Sequence, residues 1–405
     1  MSDPSATPPT DDPTPGAVRP APMNIVGAGA VTGYGWGAKR LWDGFRLGES
    51  AVTLQTGLEG YVDGGYAYLS LISDEGDRAD GPSRFMRALR FSAREAVNDA
   101  RERGWKPGPV VGVVHSLVLG DVDLWSEFYR SGQPRTRARK WVHMMPSTVM
   151  TMMMKEHDFH GPAMSVSAMC ASGNAGMITA KNWLDLGICS DVILLATDLS
   201  GLPQNLRGFS DVGVAVLDTP PFEASRPFQE GSRGFVGGEA SVAMVLSNRP
   251  EGSYATMRGG SMSMDAYNAV AMAPDLDDLF RCFRQALALA GTDPAEVAYM
   301  NAHGPGTAQC DAAEARIFDE LFPAAHGIFS VKPLTGHCQG AASAVEVLAS
   351  LFAYETGQIP APPTVAPGHR KLLNGLTDRK AGPMVKSSIG MGGFNAVIVL
   401  DEPAG

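Results

Sequence analysis

Residues 164–176, MSVSAMCASGNAG, decide the fold because an apolar segment runs straight into a string of small residues. Residues 164–169 have the apolar character of a buried strand, and residues 172–187 have the composition of a helix that ends at a glycine. Strands that turn directly into helices are the units of α/β proteins. The stretch therefore predicts an α/β fold.

Cys170 stands at the turn of this stretch, immediately before the predicted helix. Small neighbours let the backbone turn sharply and let a substrate approach. The N–H groups at a helix start favour a thiolate, so we expect a lowered pKa for Cys170, and they can stabilise an oxyanion. Most free cysteines are small buried apolar residues, so the turn alone leaves that alternative open. The cysteines without such a turn are interpreted as structural: Cys189, Cys282, Cys310 and Cys338.

Predicted strands and helices alternate in both directions from this turn, starting at residue 23. The strands are predicted at 23–30, 110–114, 164–169, 192–196, 240–246, 297–302, 386–389 and 396–400, and the helices at 82–104, 172–187, 279–290 and 341–354. Such alternation predicts a mostly parallel sheet with helices on both faces. The layouts of the two halves resemble one another.

Composition narrows the class of protein. The 405 residues are 44% hydrophobic and 19% charged, which is typical of a globular protein with a sizeable core. A net charge of −10 argues against nucleic acid as a partner. The sequence has five cysteines, an odd number, and contains no C-x-x-C pair. This pattern argues against a disulfide framework and against a zinc site, and it favours a reducing, cytoplasmic location.

The N-terminal region lacks the features of a targeting or membrane segment. Residues 1–22 are rich in proline, aspartate, threonine and serine, and we expect a disordered tail there. The sequence contains no basic and apolar signal peptide and no apolar stretch long enough to span a bilayer. Gly27 and Gly29 imitate a dinucleotide-binding turn, but the third glycine is displaced, so close packing is the preferred interpretation.

Two histidines lie in glycine-rich turns at the ends of predicted elements. His303 follows a strand in YMNAHGPGT (299–307), and His337 precedes a helix in KPLTGHCQGA (332–341). A single histidine is more often a satisfied polar residue than a catalyst. Two such histidines in an α/β protein suggest chemistry, because functional groups gather at the ends of strands.

Five motifs in order resemble those of the β-ketoacyl synthases of the KAS I/II type, in the thiolase superfamily. They are the Cys170 turn, residues 226–239, residues 301–307, residues 330–342 with Glu346, and residues 387–395. The resemblance covers nearly all of residues 23–402. It implies a thiolase-like, five-layered α-β-α-β-α fold of two similar halves, here residues 23–250 with the nucleophile and residues 251–405 with both histidines.

The resemblance also implies a set of roles. Cys170 is the expected nucleophile, His303 and His337 the expected catalytic histidines, and Lys332 with Glu346 their support. The backbone N–H groups of Cys170 and Met391 are expected to form an oxyanion hole. The residues expected to contact the substrate or its pantetheine arm are Thr307, Thr335, Met391 and Phe394. No metal or organic cofactor is implied.

The motifs depart from the family pattern around the expected acyl pocket. Pro305 replaces a threonine whose hydroxyl binds pantetheine in the family, and Met391 replaces a gating phenylalanine. Ile389 replaces an aromatic residue, and Phe394 fills a position that is usually small. These changes predict a pathway-specific enzyme of fatty-acid or type II polyketide-like biosynthesis.

The expected partners are an acyl carrier protein, which bears the substrates, and a second subunit in a homodimer or in a heterodimer with a related chain. The basic run at residues 135–140 is a candidate docking site for the acidic carrier protein. Two alternatives remain open. One is a cysteine-dependent acyltransferase on the same fold, which would release no carbon dioxide. The other is a non-catalytic partner subunit, which the retained Cys170, His303 and His337 disfavour.

Overall fold

The computed structural model describes residues 21–130 and 138–403. The predicted disordered tail lies outside these residues except for its last two positions, and residues 135–137 of the basic run at 135–140 also lie outside them. No helix in the described ranges is long and apolar enough to cross a membrane.

Ten strands of the main sheet fall into two groups of five. The first group is β1 (Met23–Thr32), β2 (Val111–Ser116), β3 (Ala163–Val166), β4 (Asp191–Asp198) and β5 (Ala240–Ser247). The second group is β6 (Ala255–Met264), β7 (Tyr299–Asn301), β8 (Gly327–Phe329), β9 (Met384–Gly390) and β10 (Phe394–Asp401). Short strands at Gly35–Trp36, Thr53–Thr56, Tyr66–Leu69, Gln358–Pro360 and Leu376–Asp378 lie outside these groups.

Both groups have the same topology. The spatial order is β3-β2-β4-β5-β1 in the first group and β8-β7-β9-β10-β6 in the second. In each group the first three strands pair in parallel and the last two are antiparallel to their neighbours. The predicted fold of two similar halves is confirmed, and the predicted boundary at residue 250 falls between β5 and β6.

The prediction of a mostly parallel sheet is wrong. Only the pairs β3-β2, β2-β4, β8-β7 and β7-β9 are parallel within the described sheet. The strands β9 and β10 are joined by three residues, a connection that can link only antiparallel neighbours. The antiparallel strands β5 and β10 are buried along nearly their whole length, so they carry the same continuous apolar runs as parallel strands.

Helices form three layers around the two groups of strands. Their bounds are α1 Ala38–Leu47, α2 Arg84–Glu102, α3 Val122–Arg130, α4 Ala138–His143, α5 Pro146–His157, α6 Ser172–Asp185, α7 Pro203–Asp211, α8 Pro221–Ala224, α9 Asp277–Ala290, α10 Ala308–Leu321, α11 Lys332–Thr335 and α12 Ala342–Thr356. The buried helices α6 and α12 share the central core, α2 and α5 pack on the first half, and α9 and α10 pack on the second half. This arrangement is the predicted five-layered α-β-α-β-α fold.

The glycines that imitate a dinucleotide-binding turn bring β1 against α2. A Cβ atom on Gly29 would lie 2.2 Å from the carbonyl oxygen of Ser92, and one on Gly27 would lie 2.3 Å from that of Ala96. On the same helix, the carboxylate of Glu95 accepts the backbone N–H of Ala30 at 2.9 Å. Close packing is therefore the structural role of these glycines.

Replacement of Gly29 by valine is expected to lower the free energy of unfolding by about 3 kcal/mol or more, because backbone atoms of α2 cannot move aside. Urea unfolding followed by circular dichroism would measure this change. Gly208→Ala is the matched control, since no atom lies within 4 Å of the added Cβ on α7. A Gly29→Val protein as stable as this control would contradict the prediction.

Candidate active site

Cys170 lies in a sharp turn between β3 and α6, as the sequence predicts. The preceding residue, Met169, has a φ of 49°, which is unusual for a residue with a side chain. The Ser172 hydroxyl donates to the Met169 carbonyl at 2.6 Å and accepts the Ala168 N–H at 2.9 Å. The turn uses the last residues of the predicted strand, which explains why β3 ends at Val166.

The structure brings the thiol and both predicted histidines together. The Cys170 sulfur and one ring nitrogen from each of His303 and His337 all lie within 4.8 Å of one another. The two imidazole rings are 5.4 Å apart between centroids and are nearly perpendicular, at 76°. Both histidines are almost completely buried, at 3% and 1% exposure.

The resting thiol of Cys170 is not acidic. Burial raises its pKa to about 11, although the charge of Lys332 and a hydrogen bond from the Met391 backbone N–H both act in the opposite direction. The expectation of a lowered pKa is therefore wrong, because desolvation outweighs these favourable contacts. The Met391 N–H therefore lies beside the Cys170 sulfur.

Both histidines have a defined proton position. Lys332 Nζ lies 3.2 Å from His303 Nδ1, and an ammonium can only donate, so Nδ1 accepts and the proton of the neutral ring is on Nε2. His337 Nδ1 accepts the backbone N–H of Gln339 at 3.3 Å, which assigns the same tautomer. Burial, with the charge of Lys332, holds the pKa of both rings well below the usual value. Each ring is thus neutral and has one Nε2–H available to donate.

Lys332 and Glu346, the two residues expected to support the histidines, form an ion pair next to His303. The ammonium contacts the Glu346 carboxylate and also donates to the His303 carbonyl oxygen. A second buried lysine, Lys386, lies 2.7 Å from the other carboxylate oxygen of Glu346. Sequence reasoning missed Lys386, although a lysine inside the apolar strand β9 is a signal that could have identified it.

Glu314 and Gln339 are further contacts that the sequence analysis missed. The fully buried Glu314 carboxylate accepts the backbone N–H groups of His303 at 2.8 Å and Gly304 at 2.7 Å. Gln339 has a φ of 44°, and its side-chain oxygen lies 3.8 Å from the Cys170 sulfur. An acidic residue on the buried face of α10 is a sequence signal for the first contact. The second depends on a turn whose backbone conformation the sequence does not reveal.

A cavity of about 350 Å³ opens beside these groups. Its walls include Thr307 and Met391 among the predicted substrate contacts, together with the altered positions Pro305 and Ile389. The other wall residues are Cys170, His303, His337, Gln339, Cys310, Phe209, Phe235, Val212, Gly213, Val214, Val270, Ala271, Met272, Ala308, Gln309 and Gly390. The apolar walls and the thiol at the cavity fit an acyl chain on a thioester.

Thr335 and Phe394 do not lie on the walls of this cavity. Thr335 is buried, and its hydroxyl donates to the Gly336 carbonyl at 2.9 Å. Phe394 is half-buried and packs against the central core.

Among the described residues, one cluster has side-chain donor atoms close enough together to hold a metal ion. It consists of Cys170, His303 and His337. The nearby ammonium groups of Lys332 and Lys386 would repel a divalent cation there. The same three groups suit acyl chemistry, with one nucleophile and two hydrogen-bond donors.

The rate of Cys170 alkylation by iodoacetamide is expected to rise about tenfold per pH unit between about pH 7 and 9, because the reactive thiolate is a minor species below a pKa of about 11. Peptide mapping by mass spectrometry over time would give the rate. The urea-unfolded protein is the control, and its rate should level off near the ordinary thiol pKa. A native rate that is constant above about pH 7 would contradict the prediction.

Comparisons with known proteins agree with this geometry. The family model "Beta-ketoacyl synthase, N-terminal domain" matches residues 21–251, and "Beta-ketoacyl synthase, C-terminal domain" matches residues 254–365. The chain is 30% identical over 342 residues to 3-oxoacyl-[acyl-carrier-protein] synthase 2 of Coxiella burnetii, covering 78% of this chain and 82% of the relative. It is 28% identical to Nodulation protein E of Rhizobium sp. strain N33, covering 93% and 98%.

Solved structures share the fold. A ketosynthase, ApeO, in complex with its chain length factor from Xenorhabdus doucetiae superimposes with a TM-score of 0.82 at 21% identity, covering 94% of this chain and 98% of that one. A type II polyketide synthase acyl-carrier protein in complex with its ketosynthase also gives 0.82, at 22% identity and with 95% and 99% covered. The two domain matches span most of the described residues, and so the chain belongs to the β-ketoacyl synthase family.

Proposed function

We propose that this chain catalyses the decarboxylative Claisen condensation of an acyl thioester with a malonyl-type thioester on a carrier protein. The observation that carries the proposal is one buried thiol beside two neutral imidazoles, each with an Nε2–H available to donate. A nucleophile for acyl transfer and two donors for an enolate oxygen are the groups that this reaction requires.

In the first half-reaction, the Cys170 sulfur attacks the acyl carbonyl and a new thioester forms. The bond to the pantetheine sulfur breaks, and the thiol proton leaves with that sulfur. The backbone N–H groups of Cys170 and Met391 would stabilise the tetrahedral oxyanion, and the hydrogen bond from Met391 to the resting sulfur supports this role. Thr307, on the cavity wall, would contact the pantetheine arm.

In the second half-reaction, a malonyl-type thioester occupies the cavity. His303 and His337 would donate their Nε2–H groups to its carbonyl oxygen, where negative charge develops as carbon dioxide leaves. The resulting enolate carbon attacks the acyl-Cys170 carbonyl. The bond to the Cys170 sulfur breaks, and the departing thiolate takes up a proton from solvent, which restores the resting thiol. A neutral ring whose Nδ1 accepts a hydrogen bond keeps its single N–H on Nε2, where it can donate to the developing oxyanion.

The cavity walls support a pathway-specific enzyme. Pro305 has no hydroxyl for a pantetheine arm, and Ile389 and Met391 give the cavity aliphatic walls where the family has aromatic residues. We propose a role in fatty-acid or type II polyketide-like biosynthesis, in the cytoplasm. Similar structures contain a ketosynthase with its acyl-carrier protein or its chain length factor, which supports the same kinds of partner for this chain.

The edge strand β3 supports a dimer. Residues Ala163–Ser165 of this strand are exposed. Among the described residues, β3 pairs with β2 along one edge and with no strand along the other. An open edge with an exposed Met164 would be covered by a second, identical or related, subunit.

Intact-protein mass spectrometry with an acyl donor, followed by malonyl-carrier protein, tests the proposed function. An adduct on Cys170 that converts to a β-ketoacyl-carrier product with release of carbon dioxide would support condensation. An adduct that passes to an alcohol or amine without carbon dioxide would identify an acyltransferase. Failure of every donor to form an adduct would favour a non-catalytic partner subunit.

A further inference from the structure

Lys386 is a buried cation that neither the sequence motifs nor the proposed mechanism uses. Its side chain is fully buried within β9, and Nζ lies 2.7 Å from Glu346 Oε2. The ammonium also donates to the backbone oxygen of Ser387. Because Lys332 contacts the other oxygen of Glu346, one carboxylate bridges two ammonium groups.

Four charged side chains lie close together around Lys386, and the buried carboxyl of Asp311 interacts with one of them, Glu314. Glu346 on α12 and Glu314 on α10 contribute two carboxylates, and Lys332 on α11 and Lys386 on β9 contribute two ammonium groups. Burial raises the pKa of Glu314, and the charge of Lys386 is one of the contacts that counteract this rise. Without Lys386, two buried carboxylates would share a single cation, which is electrostatically unfavourable.

His303 depends on both carboxylates of this group. Glu314 accepts the backbone N–H groups of His303 and Gly304, and the Ser387 hydroxyl donates to the same carboxylate at 2.6 Å. Glu346 holds Lys332, which lies 3.2 Å from His303 Nδ1. Protonation of Glu314 would weaken its hydrogen bonds to the two backbone N–H groups, and protonation of Glu346 would weaken its ion pair with Lys332. The charges of Lys332 and Lys386 also act on the pKa of His337.

We propose that Lys386 is a positioning residue for the condensation step. It balances Glu346 and Glu314 so that both continue to hold His303 with its Nε2–H directed at the reacting carbonyl. The inference rests on the proposed function for its catalytic consequence. Acylation of Cys170 needs no donor from His303, so the two half-reactions should respond differently.

Lys386→Met, which keeps the length of the side chain and removes the charge, tests this inference. We expect Cys170 acylation to stay within about threefold of wild type, and condensation at neutral pH to fall by about 10- to 100-fold. The acidic limb of the condensation profile should move to higher pH, because loss of the cation raises the pKa of Glu314 further. A merely structural role would lower both steps without moving the profile.

Lys181→Met is the matched control, because Lys181 is also buried and paired with a carboxylate, Asp185, at 2.9 Å on α6. It should leave both steps and the pH profile unchanged. Histidine ¹⁵N NMR gives a readout that does not depend on turnover: the His303 signals, assigned with His303→Ala, should change with pH in Lys386→Met over a range where wild type is constant. If the wild-type protein releases no carbon dioxide, the proposed function is wrong. The His303 signals still test whether Lys386 positions His303, because they do not depend on turnover.

An unchanged pH profile together with unchanged His303 signals would overturn the proposal. So would an equal loss of acylation and condensation. If Lys386→Met does not fold, Lys386→Gln replaces it, since glutamine keeps hydrogen-bond donors without the charge. If neither variant folds, the role of Lys386 is to stabilise the fold rather than to position His303, and the proposal is overturned.

Discussion

Cys170→Ala is expected to abolish the acyl adduct and to lower condensation by about 10⁴-fold or more, because the covalent intermediate can no longer form. Cys170 is the thiol that lies within 4.8 Å of both imidazoles and receives the Met391 N–H. Intact-protein mass spectrometry would measure the adduct, and formation of the β-ketoacyl product from a malonyl thioester would measure the second step.

Cys310 offers a demanding control for this prediction. It is a second thiol on the wall of the same cavity, but burial and the charges of Glu314 and Asp311 raise its pKa far above the usual value. Cys310→Ala should therefore keep the adduct. An adduct that persists in Cys170→Ala and maps to Cys310 would contradict the assignment of the nucleophile.

Replacement of either active-site histidine is expected to separate the two half-reactions. His303→Ala and His337→Ala should each lower condensation by about 10²- to 10³-fold, the usual effect of losing one donor to a developing oxyanion. Acylation of Cys170 should fall much less, since its oxyanion is held by backbone N–H groups. Single-turnover measurements of adduct formation and of carbon dioxide release would resolve the two steps.

The double variant adds a second test of the histidines. Both rings are predicted to donate to the same oxygen, so the two losses should combine less than additively. His160→Ala is the control, because His160 is exposed and pairs with Asp158 at 2.9 Å on the surface. Equal losses of acylation and condensation would instead show that the histidines activate Cys170, and would contradict the proposed division of roles.

The raised pKa of Cys170 agrees with this division. A thiol that is buried and protonated at rest needs stabilisation of the transition state more than a preformed thiolate. The proposed oxyanion-hole donors, the N–H groups of Cys170 and Met391, would provide that stabilisation. The Cys170 turn, with its strained Met169, serves to present the sulfur to these donors rather than to acidify it.

Local sequence patterns by themselves determined the elements and the chemical groups of this protein. The apolar segment before Cys170, the small residues after it, and the glycines around His303 and His337 are contiguous in sequence. Turn geometry, strand ends and helix starts depend mainly on such neighbours. The nucleophile turn and the two histidines could therefore be predicted without coordinates, whereas the five-layered fold was implied by the resemblance of the five motifs to the β-ketoacyl synthases.

Only the tertiary structure decided how these pieces meet and how they are solvated. Strand direction depends on pairing between distant residues, so the antiparallel β5 and β10 could not be told from parallel strands by their apolar runs. Lys386 and Glu314 reach His303 from β9 and α10, and the pKa of Cys170 is raised by burial that residues from both halves create. Burial, charge balance and proton positions depend on non-local contacts, and for that physical reason they could be read only from the folded chain.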